Sequence, residues 1–153
     1  ENTVQCAIET DMALLIPNTY VSDVAERMKL YTRLSQIKNE SEIELFKHEL
    51  IDRFGEIPRF TIDLIKSISL RSIGEKIYCE KVILKRKKMI IVFNKHNASG
   101  PAHDKILHNI INMLQVDQEN KYALKETNDK IKLHVNSVES ISESIKIINK
   151  INE

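Results

Sequence analysis

Tryptophan is absent, glycine and proline each occur only three times in 153 residues, and cysteine twice. So little glycine argues against an active site built from loops. The pattern Gly-x-x-x-x-Gly-Lys-Ser/Thr is missing altogether, which excludes that way of cradling ATP phosphates. No Gly-x-Ser-x-Gly elbow is present for a nucleophilic serine. An excess of one charge is lacking too. The 23 Lys and Arg face 22 Asp and Glu, whereas a chain that held nucleic acid or a membrane surface through its overall field would be lopsided. No apolar run approaches the roughly 18 residues of a membrane span, and no secretion signal is read, so a cytoplasmic protein is expected. Cys6 and Cys79 lie far apart and away from His, the pattern of buried or half-buried free thiols in a reducing compartment. The five His are scattered, and His103 and His108 miss the four-residue spacing that puts two ligands on one helix face. No metal, cofactor or catalytic residue is therefore expected in this domain. The start at Glu1 rather than Met leads us to expect a piece of a longer protein.

What is present centres on Glu49-Leu50-Ile51-Asp52-Arg53-Phe54-Gly55-Glu56-Ile57-Pro58. This stretch ends an amphipathic helix, turns on a glycine suited to the left-handed position past a helix end, and restarts with proline at a first helical position. Leu50, Ile51 and Phe54 are expected inward, and Glu49, Asp52 and Arg53 outward.

Upstream, residues 4–9 alternate loosely as a strand, and Met12 to Ile16 reads as a second strand or edge piece stopped by Pro17. Ser22 is placed as the cap of a helix over about 22–37 with Val24, Met28, Tyr31 and Leu34 inward. Ser41 and Glu44 read as a capping box ahead of the stripe Ile43, Phe46, Leu50 and Phe54. A third helix from Pro58 turns in Phe60 or Thr61, then Leu64, Ile65 and Ile68, and ends at Gly74.

After Gly74 the period becomes two. Residues 76–84 and 89–93 are predicted strands around the turn Lys85-Arg86-Lys87-Lys88. A loop over 97–101 leads to a helix from His103 or Asp104 with Ile106, Ile110 or Ile111, and Leu114 inward. Residues 122–125 and 130–135 are strands around Asn128-Asp129, and a last helix buries Val138, Ile141, Ile145, Ile148 (with Ile147) and Ile151. The fold class is mixed α/β, of α+β type. A helical lobe (1–74, two short strands and three helices) precedes a mostly antiparallel sheet covered by helices (75–153), all in one domain over 1–153.

Two charge patterns remain. Lys85 to Lys88 reads as a solvated hairpin tip that guards a strand edge or, with Lys95, as a phosphate contact. Asn97-Ala98-Ser99 fits a glycosylation sequon and is set aside for want of a secretion signal. Glu49, Asp52, Arg53 and Glu56 share a helical face. They form either a solvated surface with a Glu49–Arg53 pair or a contact in which Arg53 grips a partner carboxylate and the acids accept from partner arginines.

Three blocks in order, Ile16-Pro17-Asn18-Thr19-Tyr20-Val21-Ser22-Asp23, Arg27-Met28-Lys29-Leu30-Tyr31 and the stretch from Glu49 to Pro58, resemble the C-terminal domain of bacterial transcription-repair coupling factors. Beyond Gly74 the likeness is one of element order and hydrophobic pattern. The resemblance implies a non-catalytic, autoinhibitory regulatory domain. Its parent would be an ATP-hydrolysing DNA translocase that displaces stalled RNA polymerase at lesions on duplex DNA and recruits excision repair. ATP and Mg would be held in upstream motor domains. The domain would pack on an N-terminal domain resembling the excision-repair protein UvrB and mask the surface for the excision-repair protein UvrA, with Glu49, Asp52 and Arg53 as the interface residues. Two other classes are an accessory module contacting duplex DNA and a purely structural cap on the motor.

Overall fold

Alternation of apolar and charged residues builds the strands of this chain, and helical periodicity builds its helices. The computed structural model describes residues 5–97 and 100–153. The elements run β1 (Ala7–Thr10), α1 (Val24–Ser35), α2 (Glu40–Phe54), α3 (Arg59–Lys76), β2 (Lys81–Lys85), β3 (Lys88–Asn94), a 3-10 turn (Lys95–Asn97), α4 (Pro101–Val116), β4 (Tyr122–Glu126), β5 (Lys130–Asn136) and α5 (Ile141–Asn152). The chain divides into two compact units. One holds Ala13–Ser72, and the other holds the residues up to Met12 together with Ile73–Glu153.

The second of these units is built on a five-stranded sheet of order β1-β2-β3-β5-β4. β1 pairs parallel to β2, and every other pairing is antiparallel. The mixed, mostly antiparallel sheet expected from the sequence is present. Val82, Leu84, Met89, Ile91, Phe93, Leu133 and Val135 alternate onto one face and are buried. α4 supplies Ile106, Ile110 and Met113, and α5 supplies Ile141, Ile147, Ile148 and Ile151. Phe93 and Ile131 of the sheet line a small cavity with His103, Ile106, Leu107 and Ile110 of α4, which identifies the face that α4 covers. Full burial of each such aliphatic side chain contributes about 1.5–3 kcal/mol.

The first unit is a helical lobe. Leu30 and Leu34 of α1, Ile43, Phe46 and Leu50 of α2, and Ile65 of α3 form one core with Ile16, Val21, Ile37 and Ile57. Thr61, fully buried, donates its hydroxyl to the Leu15 carbonyl at 3.0 Å. That resolves the choice between Phe60 and Thr61, since Phe60 is half exposed.

Several boundaries differ from those that local signals predict. Residues 12–16 form no strand, because side chains take their backbone groups: Ile16 N donates to Tyr31 Oη at 2.7 Å, and the Leu15 carbonyl serves Thr61. The first strand starts at Ala7, and Val4 lies outside the described residues. Asp23, not Ser22, caps α1 by accepting from Ala25 N, and Val24 and Met28 turn outward. The capping box sits two residues earlier than the Ser41–Glu44 pair: Asn39 Oδ1 accepts from Glu42 N, while Glu42 Oε2 accepts from Lys38 N. Ile51 is half exposed, with Leu50 and Phe46 holding the inward positions.

Pro58 stands just before α3, its carbonyl accepting from Thr61 N and Ile62 N. α3 does not stop at Gly74 but runs to Lys76, so the following strand starts only at Lys81, after Tyr78 turns the chain at φ 63°. Gly74 is there for close approach. A Cβ on it would lie 2.7 Å from Cys6 Sγ and 3.2 Å from Cys79 Sγ. Both thiols are free and buried, their sulfurs 3.2 Å apart. Gly100 precedes α4, which begins at Pro101 rather than His103 or Asp104 because proline suits a first helical position. Met113 rather than Leu114 is buried, and Ile111 is exposed. The sequon's Ala98 and Ser99 lie outside the described residues.

Candidate functional site

The candidate residues lie on α2, and their setting begins with how that helix ends. Gly55 closes α2 at φ 86° and ψ −160°, its N–H bonded to the Ile51 carbonyl at 2.9 Å. This is not the left-handed helical well expected from the sequence but a region that essentially only glycine occupies. Open space surrounds the missing side chain, so conformation alone selects glycine here. Tyr20 Oη donates to the Gly55 carbonyl at 2.8 Å and its ring tilts against Phe54 at 5.7 Å. The end of α2 is thereby held by a residue of the first sequence block.

Leu50 anchors the inward side with no exposure, and residues one position before and two or three after it face outward. Glu49 receives both guanidinium nitrogens of Arg33 on α1, at 2.6 and 2.9 Å. Arg53, four residues on, donates to the same carboxylate at 3.0 Å and with its other terminal nitrogen to Glu26 on α1. The four charges form one chain, Arg33–Glu49–Arg53–Glu26, across the seam between α1 and α2. The Arg53 guanidinium carbon sits 4.8 Å from the Phe54 ring centroid and that of Arg33 sits 5.4 Å from Phe46, positions favourable for cation–π attraction.

The electrostatics follow from this geometry. The Arg33 hydrogen bonds, then those of Arg53, hold the Glu49 carboxyl below the usual glutamate range against the opposing effect of burial. Arg33 is pushed up chiefly by its bond to Glu49, and Arg53 by Glu26 and then Glu49. All members stay in contact with solvent, with side-chain exposures of 46% for Arg33, 34% for Glu49, 41% for Arg53 and 25% for Glu26. Each pair is therefore worth little to stability and is screened by salt.

The structure thus brings Glu49 and Arg53 into direct contact. Asp52 shares their face but its side chain, exposed, makes no hydrogen bond or ion pair with a described residue. Glu56 is also exposed beyond the turn. Sequence reasoning missed two members, Glu26 and Arg33. Their seven-residue spacing on α1 was a legible signal, since it puts them on one helical face. Leu45, 70% exposed, and Ile51, 49% exposed, leave apolar surface next to the charges. A shallow, open depression lined by Arg33, Gln36, Ile37, Glu42, Leu45 and Phe46 adjoins Glu49's partner.

Among the described residues no group of three or more His, Cys, Asp or Glu is arranged to hold a metal ion, and no helix is long and apolar enough to cross a membrane. The face presents solvated charges of both signs, held in place by neighbours, beside exposed aliphatic groups.

Comparison with known proteins agrees with the sequence blocks. Residues 10–103 match the TRCF domain family. The chain is 35% identical over 98 residues to the transcription-repair-coupling factor of Escherichia coli K12, covering 64% of this chain and 8% of that protein. It is 30% identical over 134 residues to the transcription-repair-coupling factor of Buchnera aphidicola, covering 86% of this chain and 16% of that protein. The chain thus spans a small part of the length of these relatives. Its fold superposes on the crystal structure of a C-terminal domain of transcription-repair coupling factor with a TM-score of 0.74, 23% identity, and coverage of 99% of this chain and 91% of that one. With the family match running through the whole helical unit and on into β2, β3 and the start of α4, this chain belongs to the TRCF domain family.

Proposed function

We propose that this domain is a non-catalytic latch of a transcription-repair coupling factor. In this reading the whole protein is an ATP-dependent DNA translocase of the bacterial cytoplasm that displaces RNA polymerase stalled at lesions on duplex DNA. ATP and Mg belong to its motor domains. The domain packs on the UvrB-like N-terminal domain of the same protein through Glu49, Asp52 and Arg53, covers the surface for UvrA, and so holds the free protein in a repressed state.

The observation that carries this reading is Asp52, an exposed carboxylate that pairs with no described residue, beside a tethered charge chain. Glu26 and Glu49 restrain Arg53, so its remaining donors are presented to a partner at a reduced entropic cost. Asp52 is left to accept from a partner arginine, and Leu45 and Ile51 supply apolar area at the rim. Charge pairs of this exposure set specificity and reversibility more than affinity. That suits a contact which must open when the motor engages polymerase, since a switch works by differing contacts in its two states.

The test is calorimetry of this chain against the UvrB-like N-terminal domain of its own protein at two salt concentrations, wild type beside Asp52→Lys. Salt-sensitive binding lost in the variant is expected. Binding that survives the substitution places the interface elsewhere on the chain. In the full-length protein, Asp52→Lys is expected to raise basal ATPase and UvrA affinity together, and wild-type values of both would overturn the latch.

A further inference from the structure

The sheet face opposite α4 carries a charge arrangement that folding alone does not favour. Strand register puts Lys85 directly across from Lys88 on β2 and β3, and Lys125 directly across from Lys132 on β4 and β5. Like charges at opposed positions destabilise a sheet, yet this one holds two such pairs on one face. The alternation fixes that face: Met89, Ile91, Leu133 and Val135 are buried on the side α4 covers, so Lys88, Lys132 and His134 stand on the other. Between the two lysine pairs lies His134, opposite Ile90 on β3 and Ala123 on β4. Burial, then Lys125, Lys132 and Lys88 in that order, hold its imidazole below the usual range, as the strand register that surrounds it with these cations requires.

Neighbouring lysines have closer carboxylate partners. Lys95 pairs with Glu126 at 2.7 Å, Lys87 with Glu139 at 3.6 Å, Lys130 with Glu80, and Lys81 with Glu9 at 3.1 Å. Lys85 reaches only the far oxygen of Glu9, at 3.9 Å. Lys88, Lys125 and Lys132 have no carboxylate partner among the described residues. Lys95 and the tip residue Lys87, which the sequence grouped with the basic turn, are therefore not part of the patch.

We propose that Lys85, Lys88, Lys132 and Lys125, flanking His134, form a binding strip for the phosphate backbone of duplex nucleic acid. Strand spacing of about 4.8 Å and a rise of about 3.3 Å per residue make the diagonal strip about 20 Å long, the axial length over which one strand of B-DNA presents about six phosphates. The face has no Phe, Tyr or Trp among its strand residues, because Tyr122 and Phe93 alternate to the other side, and the single imidazole of His134 is no platform for successive bases of a single strand. Contacts confined to phosphates position a duplex without reading its sequence. An acidic protein segment is the lesser fit, since the cations are spaced along a strip, while the apolar residues of the same face, Ile83, Ile90 and Val92, are buried or half-buried and offer little surface to an anchor residue. The strip lies on a different unit from the latch surface and does not rest on that proposal.

The test is fluorescence anisotropy of a labelled DNA duplex of arbitrary sequence, titrated with the whole chain over a series of salt concentrations. Wild type is compared with Lys125→Ala/Lys132→Ala and with the control Lys87→Ala. Wild type is expected to bind with an affinity that falls steeply with salt. The double variant is expected to lower the log–log slope by about 1.8, the loss of two phosphate contacts, and Lys87→Ala to leave it unchanged. Thermal unfolding of the double variant is expected at or above the wild-type temperature, because a repulsive pair is removed; this separates lost contact from lost fold. No duplex binding at low salt, a wild-type slope in the double variant, or tighter binding to polyglutamate than to duplex would each overturn the proposal, the last in favour of an acidic polypeptide.

Discussion

Arg33 holds Glu49 in a two-pronged contact, 2.6 and 2.9 Å, that ties α1 to α2 on the same carboxylate to which Arg53 also donates. The carboxyl of Glu49 is depressed by these bonds. A group whose folded pKa lies below its unfolded value stabilises the fold above the unfolded value, about 4.3 for Glu, and loses that contribution as pH falls through the folded value. Denaturant titrations between neutral and acid pH are expected to show the difference between wild type and Glu49→Gln closing below about pH 4. A double-mutant cycle on Arg33 and Glu49 is expected to give a coupling below about 1 kcal/mol that fades with salt.

Gly74 is the tightest packed glycine of the chain. Gly74→Ala is expected to destabilise by about 1–3 kcal/mol through overpacking, since its Cβ would meet Cys6 Sγ at 2.7 Å. Adding Cys6→Ala, which removes that sulfur, is expected to restore part of the loss. Equal destabilisation with and without the sulfur, measured by urea unfolding, would show that the clash is not the cause.

The hairpin between β2 and β3 turns on Arg86 and Lys87, both at positive φ, 53° and 60°. Two-residue turns of this kind favour Asn-Gly, and a left-handed residue with a full side chain costs roughly 1–2 kcal/mol. Arg86→Asn with Lys87→Gly is expected to raise stability by about 1 kcal/mol. An unchanged denaturation midpoint would count against the assigned turn.

Leu50 stands at the centre of the helical unit with no exposure. Leu50→Ala is expected to cost about 2–5 kcal/mol, whereas Asp52→Ala on the opposite face is expected to be nearly neutral. Thermal unfolding of the two variants side by side checks the assignment of inward and outward faces of α2.

The thiols of Cys6 and Cys79 are buried against each other, and the Cys6 contact together with burial pushes the Cys79 thiol up. Since a reagent must reach the sulfur, and both sulfurs are buried, both are expected to resist a thiol reagent at neutral pH in the folded chain and to react promptly in denaturant. Fast labelling of the native protein would contradict their burial.

The division between what could and could not be read follows the range of the interactions. The stripe Ile43, Phe46, Leu50 on α2, the alternation in β3 and β5, and the glycine stop at Gly55 were legible from residues a turn or a step apart, because the spacing of apolar positions and a backbone angle are local properties. The candidate face with Glu49, Asp52 and Arg53 came from the same kind of spacing, and the family blocks added its setting. The missed features are long-range. No local pattern says that Tyr31 and Thr61 will satisfy Ile16 and Leu15, 15 and 46 residues away, in place of a strand partner. Nor does any say that α3 will run past Gly74, because that glycine is required by sulfurs at positions 6 and 79 and not by a helix end. By itself the sequence determined the apolar side of α2, β3 and β5 and which family the chain resembles. Only tertiary structure decided that Arg33 and Glu26 of α1 would meet Glu49 and Arg53 of α2, and that lysines from four strands would share one face. Charges distant in the chain acquire an address only when backbone pairing and core packing bring their carriers together.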